Sequence, residues 1–271
     1  MKTTLKSKML LMFSLMLFIA SCSTVPLTGR RQFNLVPDSI INSMSLQSYN
    51  DFLAQNQVSQ NQQQSDMVLR VGSKIQHAVE QYSAEHDLDL EGYEWEFNLV
   101  QDDQVNAWAM PGGKVVVYTG LLPIAQDDAG LAVVMGHEIA HAIAKHGGER
   151  MTQGLLVQMG GIALSEALTS YPVETQNMFM QAYGMGTEIG VLLPYSRKHE
   201  SEADHLGLIF MAMAGYDPNV AVGFWERMAA LKEGAAPPEL LSTHPSDTRR
   251  IRNLKALIPN AMNYYRETVD K

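Results

Sequence analysis

His137-Glu138-Ile139-Ala140-His141 is the segment of this chain best equipped for chemistry. On an α-helix, residues four apart lie about 6 Å along the axis and about 40° around it. His137 and His141 therefore project from one face and can bind one ion. Glu138 is turned about 100° from His137. A carboxylate there sits beside a metal without ligating it and can serve as base for an activated water. Random order would produce this spacing in about one chain in seventy of this composition, so the spacing alone does not decide the matter. Its neighbours add weight. Leu131, Val133, Val134, Met135, Ile139, Ala140 and Ile143 make the helix apolar on most sides. Buried imidazoles and a buried carboxylate need partners, and a metal supplies them.

A catalytic zinc of this kind takes three protein ligands and keeps one position open. The candidates for the third lie in His199-Glu200-Ser201-Glu202-Ala203-Asp204-His205. Glu200 and Asp204 share a helix face, flanked by Ala203 and Gly207, which are small enough for close packing against the first helix. Glu202 points about 200° away from Glu200. Glu200 is therefore assigned as third ligand, and Asp204 as the outer partner that accepts the free N–H of a ligand imidazole and fixes its tautomer. Glu202 and His205 are expected on a solvated face, with His199 at its margin. Two histidines and a carboxylate without cysteine favour a catalytic site over a structural one, with one Zn2+ per chain. Ligand type, not an affinity trend, selects zinc.

Several elements must position these groups. Asp127 or Asp128 caps a helix running to about His146, and Gly147-Gly148 stops it. Met67, Val71, Ile75 and Val79 recur every four residues and read as an amphipathic helix. Trp95, Phe97 and Leu99 alternate with polar residues, as in a half-buried strand. Val105 to Met110, the turn Pro111-Gly112-Gly113 and the run Lys114 to Tyr118 read as a hairpin joined to that strand. Met151 to Leu168 and Thr175 to Leu193 read as helices, broken by Gln158, Glu166, Gln181 and Glu188 before either could span a membrane. They are expected to be buried or to line a groove, with most of Met151, Met159, Met178, Met180 and Met185 packed in the core. Helices are also expected over Ser196 to Ala214 and from Asp247 to about Ile258, the latter carrying Arg249 and Arg252 as solvated or paired cations. The fold class is α+β, mostly helical, with a zincin-type helix beside a small antiparallel sheet.

Lys2, Lys6 and Lys8 precede an apolar run from Met9 to Ala20, too short for the roughly 20 residues that cross a bilayer. Ile19-Ala20-Ser21-Cys22 follows and resembles a bacterial lipobox, in which the chain is cut before the Cys and the thiol is acylated. Cys22 is the single cysteine of the 271 residues, so no internal disulfide competes for it. Residues 1–21 are read as a lipoprotein signal peptide, 22–38 as a tether and 39–271 as one domain. By sorting rules, Ser23 points to the outer membrane. The formal net charge of −9, without a basic run in the body of the chain, argues against nucleic acid as a partner.

Taken in order, the motifs resemble metallopeptidase family forty-eight, the HExxH zinc peptidases that include BepA, LoiP, HtpX and the Oma-type peptidases. Asn106-Ala107-Trp108-Ala109-Met110-Pro111-Gly112-Gly113, Gly120-Leu121-Leu122, His137 to His141, Ser196 to Asp204, Gly215-Tyr216-Asp217-Pro218 and Thr243-His244-Pro245 all have counterparts there. The membrane spans of the prenyl proteases and the long C-terminal repeats of BepA have none here, so a compact lipoprotein form is the nearer comparison. The resemblance implies a zinc endopeptidase with Glu138 as base. It implies that His244 steadies the oxyanion or gates the metal, and that Asn106, Ala107 and Trp108 form a strand along which polypeptide substrates lie. Applied to a lipid-anchored protein on the periplasmic face of a bacterial envelope, it implies cleavage of misfolded or misassembled envelope proteins. The alternative is a zinc-bound, autoinhibited chaperone-like or scaffold protein with little turnover.

Overall fold

A computed structural model describes residues 22–188, 192–231, 238–244 and 248–269. The expected signal peptide lies outside the described residues. A short hairpin opens the chain, with β1 (Cys22–Thr24) antiparallel to β2 (Arg31–Phe33). Val25 and Gln32 are buried in it, so the segment read as a tether packs on the body of the protein at these residues. Helix α1 (Asp38–Gln55) follows, and then α2 (Gln62–Glu85), where Val71, Ile75 and Val79 of the expected stripe are buried, with Val68 beside them and Met67 only partly buried.

The sheet comprises β3 (Glu96–Val100), β4 (Ala107–Met110) and β5 (Lys114–Tyr118) in the order β3-β5-β4. It is mixed where a purely antiparallel sheet was expected: β4 and β5 form the antiparallel hairpin, but β3 pairs parallel to β5. The reason lies in the burial of β5. Every residue from Lys114 to Tyr118 is buried, because α1 covers one face and the core covers the other, and such a strand takes the centre of a sheet. That leaves β4 at an edge. The chain reverses direction twice between β3 and β5, so the two must run parallel. Buried Lys114 is satisfied by donating to the Glu96 carboxylate at 2.7 Å and to the Glu94 carbonyl.

After a single 3-10 turn (Thr119–Leu121) and the short α3 (Leu122–Ala125), Asp127 caps α4 (Asp128–Ile143) by accepting from the Gly130 N–H. This helix carries the HExxH segment and is buried from Gly130 to Ile143. It ends earlier than expected. Lys145 takes a left-handed conformation (φ 55°), and His146 starts α5 (His146–Ala167), which includes Gly147 and Gly148 in its first turn. Helix α6 (Val173–Thr187) returns alongside α5. Next come α7 (Leu193–Met213), α8 (Val220–Ala230), the short α9 (Glu239–Thr243) and α10 (Thr248–Val269).

The contact between α4 and α7 is the centre of the core. A Cβ on Gly136 would fall 2.9 Å from the Gly207 carbonyl oxygen, and one on Gly207 would fall 2.9 Å from the His137 nitrogen. Only hydrogens at these two positions let the backbones meet. That close approach brings Glu200 and Asp204 of α7 within reach of the imidazoles of α4. Among the described residues no helix is long and apolar enough to cross a membrane.

Candidate metal centre and its surroundings

The fold brings together the four groups assigned from sequence. One ligand atom from each of His137, His141, Glu200 and His244 lies within 4.8 Å of every other. His137 Nε2 and His141 Nε2 are 3.2 Å apart, and each is 3.4 Å from a Glu200 oxygen. The fourth member is His244 at the end of α9. Its Nδ1 lies 3.2 Å from His137 Nε2 and 2.9 Å from Glu200 Oε1. Burial alone would raise the Glu200 carboxyl, but the three imidazoles that face it outweigh burial and hold it far below the usual carboxylate range.

Glu138 is buried next to this cage, and its Oε1 has no hydrogen-bond partner. The nearest cation-forming group is His244 Nε2 at 3.6 Å. An unanswered buried carboxylate oxygen carries a free-energy cost, so it marks a place where something is to be received. The donor set of imidazoles and one carboxylate, without thiolate, suits a divalent cation of the zinc type with catalytic coordination. The residues thus fit a metal.

Asp204 stands where the sequence places it. Its Oδ1 lies 3.0 Å from His137 Nδ1. Burial works to raise its pKa, and the Arg250 charge and His137 together bring it below the ordinary value. His137 is itself pushed down by burial and by Arg250, but its bonds to Asp204 and Glu200 outweigh both and raise it to about 9. Ligation through Nε2 would leave the imidazole proton on Nδ1 for Asp204, with Arg250 Nη2 also 3.0 Å from that nitrogen.

Arg250 is absent from the sequence assignment, which considers Arg249 and Arg252, both exposed. Arg250 is buried, binds Asp204 through Nε and Nη2, and lays its guanidinium 3.3 Å above the ring of buried Trp225. Trp225 in turn packs its ring against His137 at 5.6 Å. The helical period of α10 is the one signal that could have found it: Arg250 and Leu254, four apart, share the buried face.

The expectation of a solvated face for Glu202 is overturned. Glu202 is 6% exposed, accepts from Arg30 and Thr28, and faces His146 Nε2 at 3.0 Å. His199 is buried too and bonds Glu149. The cause is the N-terminal hairpin and the first turn of α5, which cover this side of α7. His205 does reach solvent, where it meets Asn260. Burial opposes ionisation of Glu149 and Glu202, but Arg30, His199 and His146 prevail and hold each at about 2.

Asn106, Ala107 and Trp108 lie at the start of the edge strand β4. With Glu138, His141, Arg150 and His244 they line a cleft of about 440 Å³. The side chain of Cys22 lies outside the described residues.

The profile of peptidase family M48 matches residues 70–258. The mitochondrial metalloendopeptidase OMA1 of Schizosaccharomyces pombe is 34% identical over 248 residues, covering 91% of this chain and 69% of that protein. Human metalloendopeptidase OMA1 is 31% identical over 252 residues, 90% of this chain and 46% of its own length. The beta-barrel assembly-enhancing protease of Yersinia pestis is 29% identical over 163 residues, 59% of this chain and 33% of its own length. The chain thus spans from about two thirds to about a third of the length of these relatives.

Proposed function

On the premise that this chain belongs to peptidase family M48 and is a metallopeptidase of that family, we propose that it is a zinc-dependent endopeptidase. His137, His141 and Glu200 would hold the metal and Glu138 would act as general base. The observation that carries this reading is the unpartnered Glu138 oxygen between a three-ligand cage and an open cleft.

When bound, the metal lowers the pKa of a water towards ~7 and polarises the scissile carbonyl. Substrate lies in an extended form along β4, whose outer edge has no strand partner among the described residues. Main-chain bonds there depend little on side-chain identity, which suits unfolded polypeptides. Glu138 accepts the proton of the attacking water and passes it to the leaving amine nitrogen. His244 donates to the carbonyl oxygen as that oxygen gains charge. Asp204 keeps the His137 proton on Nδ1.

The reading extends to place and substrate. Residues 1–21 act as a lipoprotein signal peptide, Cys22 carries the lipid, and residues 39–271 form the metallopeptidase domain. The site then works on the periplasmic face of a bacterial envelope, at the outer membrane, on misfolded or misassembled proteins. The lipobox residues and the bacterial relatives support this.

One observation favours a second reading. His244 Nδ1 already points into the cage, so His244 can complete the ligand set and close the site, leaving a zinc-bound chaperone-like or scaffold protein. The test uses the full chain in detergent, with casein as substrate, against a chelator, zinc restoration, Glu138→Gln and His244→Ala. Cleavage that stops with chelator, returns with zinc and falls by about 10²–10⁴ in Glu138→Gln supports the peptidase. Cleavage that rises in His244→Ala supports the closed site. Bound zinc with turnover equal in wild type and Glu138→Gln would remove Glu138 from the mechanism.

A further inference from the structure

The two ligand imidazoles have different outer partners. His137 meets a carboxylate directly, as Asp204. His141 meets none. Its Nδ1 faces the Nδ1 of a second imidazole, His146, at 2.9 Å, with Arg150 Nη2 at the longer distance of 3.4 Å. His146 is fully buried, and its other nitrogen, Nε2, lies 3.0 Å from Glu202 Oε2. Glu202 is held by the N-terminal hairpin. Arg30 donates to it from Nε at 2.7 Å and from Nη2 at 3.0 Å, and the Thr28 hydroxyl donates at 3.1 Å. The same guanidinium grips Glu149 with a second pair of bonds, at 2.8 and 2.7 Å. Gln32 ties the hairpin to the end of α4 through the Ala144 carbonyl at 2.6 Å.

The geometry points to a positioning relay, Arg30–Glu202–His146–His141, through which the N-terminal hairpin fixes the tautomer of a metal ligand. It rests on the reading of His141 as a ligand. A carboxylate only accepts, so Glu202 requires the His146 proton on Nε2. His146 Nδ1 is then an acceptor, and the nitrogen opposite it must be a donor. His141 therefore carries its proton on Nδ1, and its Nε2 lone pair is turned to the cage. The opposite arrangement would put a proton on His141 Nε2 and remove it as a ligand. One pattern of protons satisfies both short contacts of His146, and the negative end of the relay selects it. Arg30 supplies the fixed point. Its two-pronged bond to Glu202 sets the carboxylate's position, and its second pair of bonds to Glu149 sets its own. Arg30 lies eight residues after Cys22. The segment next to the proposed lipid attachment is thus part of the metal site's support, although it is distant in sequence from every ligand.

The experiment measures zinc affinity by chelator competition, the visible absorption of the cobalt-substituted protein, and the histidine ring nitrogens by 15N NMR, all on the full chain. In wild type the NMR should show protons on His141 Nδ1 and His146 Nε2. Glu202→Gln has nearly the same shape, and its amide can answer either His146 tautomer. It should weaken zinc binding by about 10–100-fold and shift the cobalt bands. Arg30→Gln should do the same to a smaller degree, and Arg30→Lys should restore part of the loss by keeping the charge without the fork. Wild-type protein that binds zinc with the His146 proton on Nδ1 overturns the relay, whether or not any variant folds. So do folded Glu202→Gln and Arg30→Gln proteins with wild-type affinity and unchanged cobalt bands. Wild-type protein that binds no metal overturns the ligand assignment beneath it.

Discussion

Helices α4 and α7 and helices α5 and α6 are two antiparallel neighbours drawn from a similar palette of Gly, Ala, Met and Leu, put to opposite uses. In the first pair the small residues are contact points. Gly136 and Gly207 touch backbone to backbone, Ala203 is fully buried, and Met135 and Met211 lie in the core. In the second pair Met159, Ile162, Met178, Phe179 and Met185 face solvent, contrary to the core packing expected for most of the methionines. Gly154 and Gly184 there have no neighbour that a Cβ would meet, and the pair is joined through Tyr183, whose hydroxyl donates to the Val157 carbonyl. Composition does not separate the two cases. The first pair holds most of the ionisable groups of the site in fixed places through its close packing. On the second pair such groups are confined to the start of α5, as His146, Glu149 and Arg150, and the exposed part beyond them carries none of the site.

The comparison can be broken most directly at Trp225, which supports the first pair from α8. Trp225→Ala removes a buried ring that backs both His137 and Arg250 and should cost about 3–5 kcal/mol in urea unfolding. A cost below about 1 kcal/mol would mean that the core around the site is loosely packed after all. Glycine substitutions sharpen the contrast with one chemical change. Gly136→Ala should destabilise by about 1–3 kcal/mol, since the new methyl meets the Gly207 carbonyl. Gly154→Ala, in an open part of α5, should stabilise by about 0.5–1 kcal/mol. The same sign at both positions would erase the distinction.

Acid tests the clasp between the N-terminal hairpin and α7. Glu149 and Glu202 have folded-state pKa values of about 2, below their ordinary 4.5. Groups depressed on folding contribute stability that is fully present above the unfolded value and is lost as pH falls through the folded one. The melting temperature should therefore drop as pH goes from about 4.5 towards 2, and Glu149→Gln should flatten part of that slope. The smallest effect is expected on the exposed face of α5, where Met159→Ser should change stability by no more than about 0.5 kcal/mol.

Much of the site was legible because its parts are local. The His137–His141 spacing, the shared face of Glu200 and Asp204, and the small flanking Ala203 and Gly207 follow from one helical period and from side-chain size. The strand β5 was legible as a β-branched run. The parallel pairing of β3 was not, because residue type sets which strand is buried but not which side of it a neighbour joins. Helix α1 was missed, having no apolar stripe of helical period. Arg250 was missed by one and two positions, since three arginines on one short stretch look alike until one faces the core.

What the amino-acid sequence determined by itself is the chemistry available: two imidazoles and a base on one helix, a carboxylate pair on another, and glycines that let the two helices touch. The tertiary structure decided which charges are taken out of water. Glu202 reads as solvated, His199 as marginal, His146 as a helix end and Arg30 as part of a tether, and each is placed by a partner far along the chain, Arg30 and Glu202 being separated by 172 positions. The free energy of a polar group depends on whether its partners replace the water it loses, and no local pattern records a partner that only folding brings near.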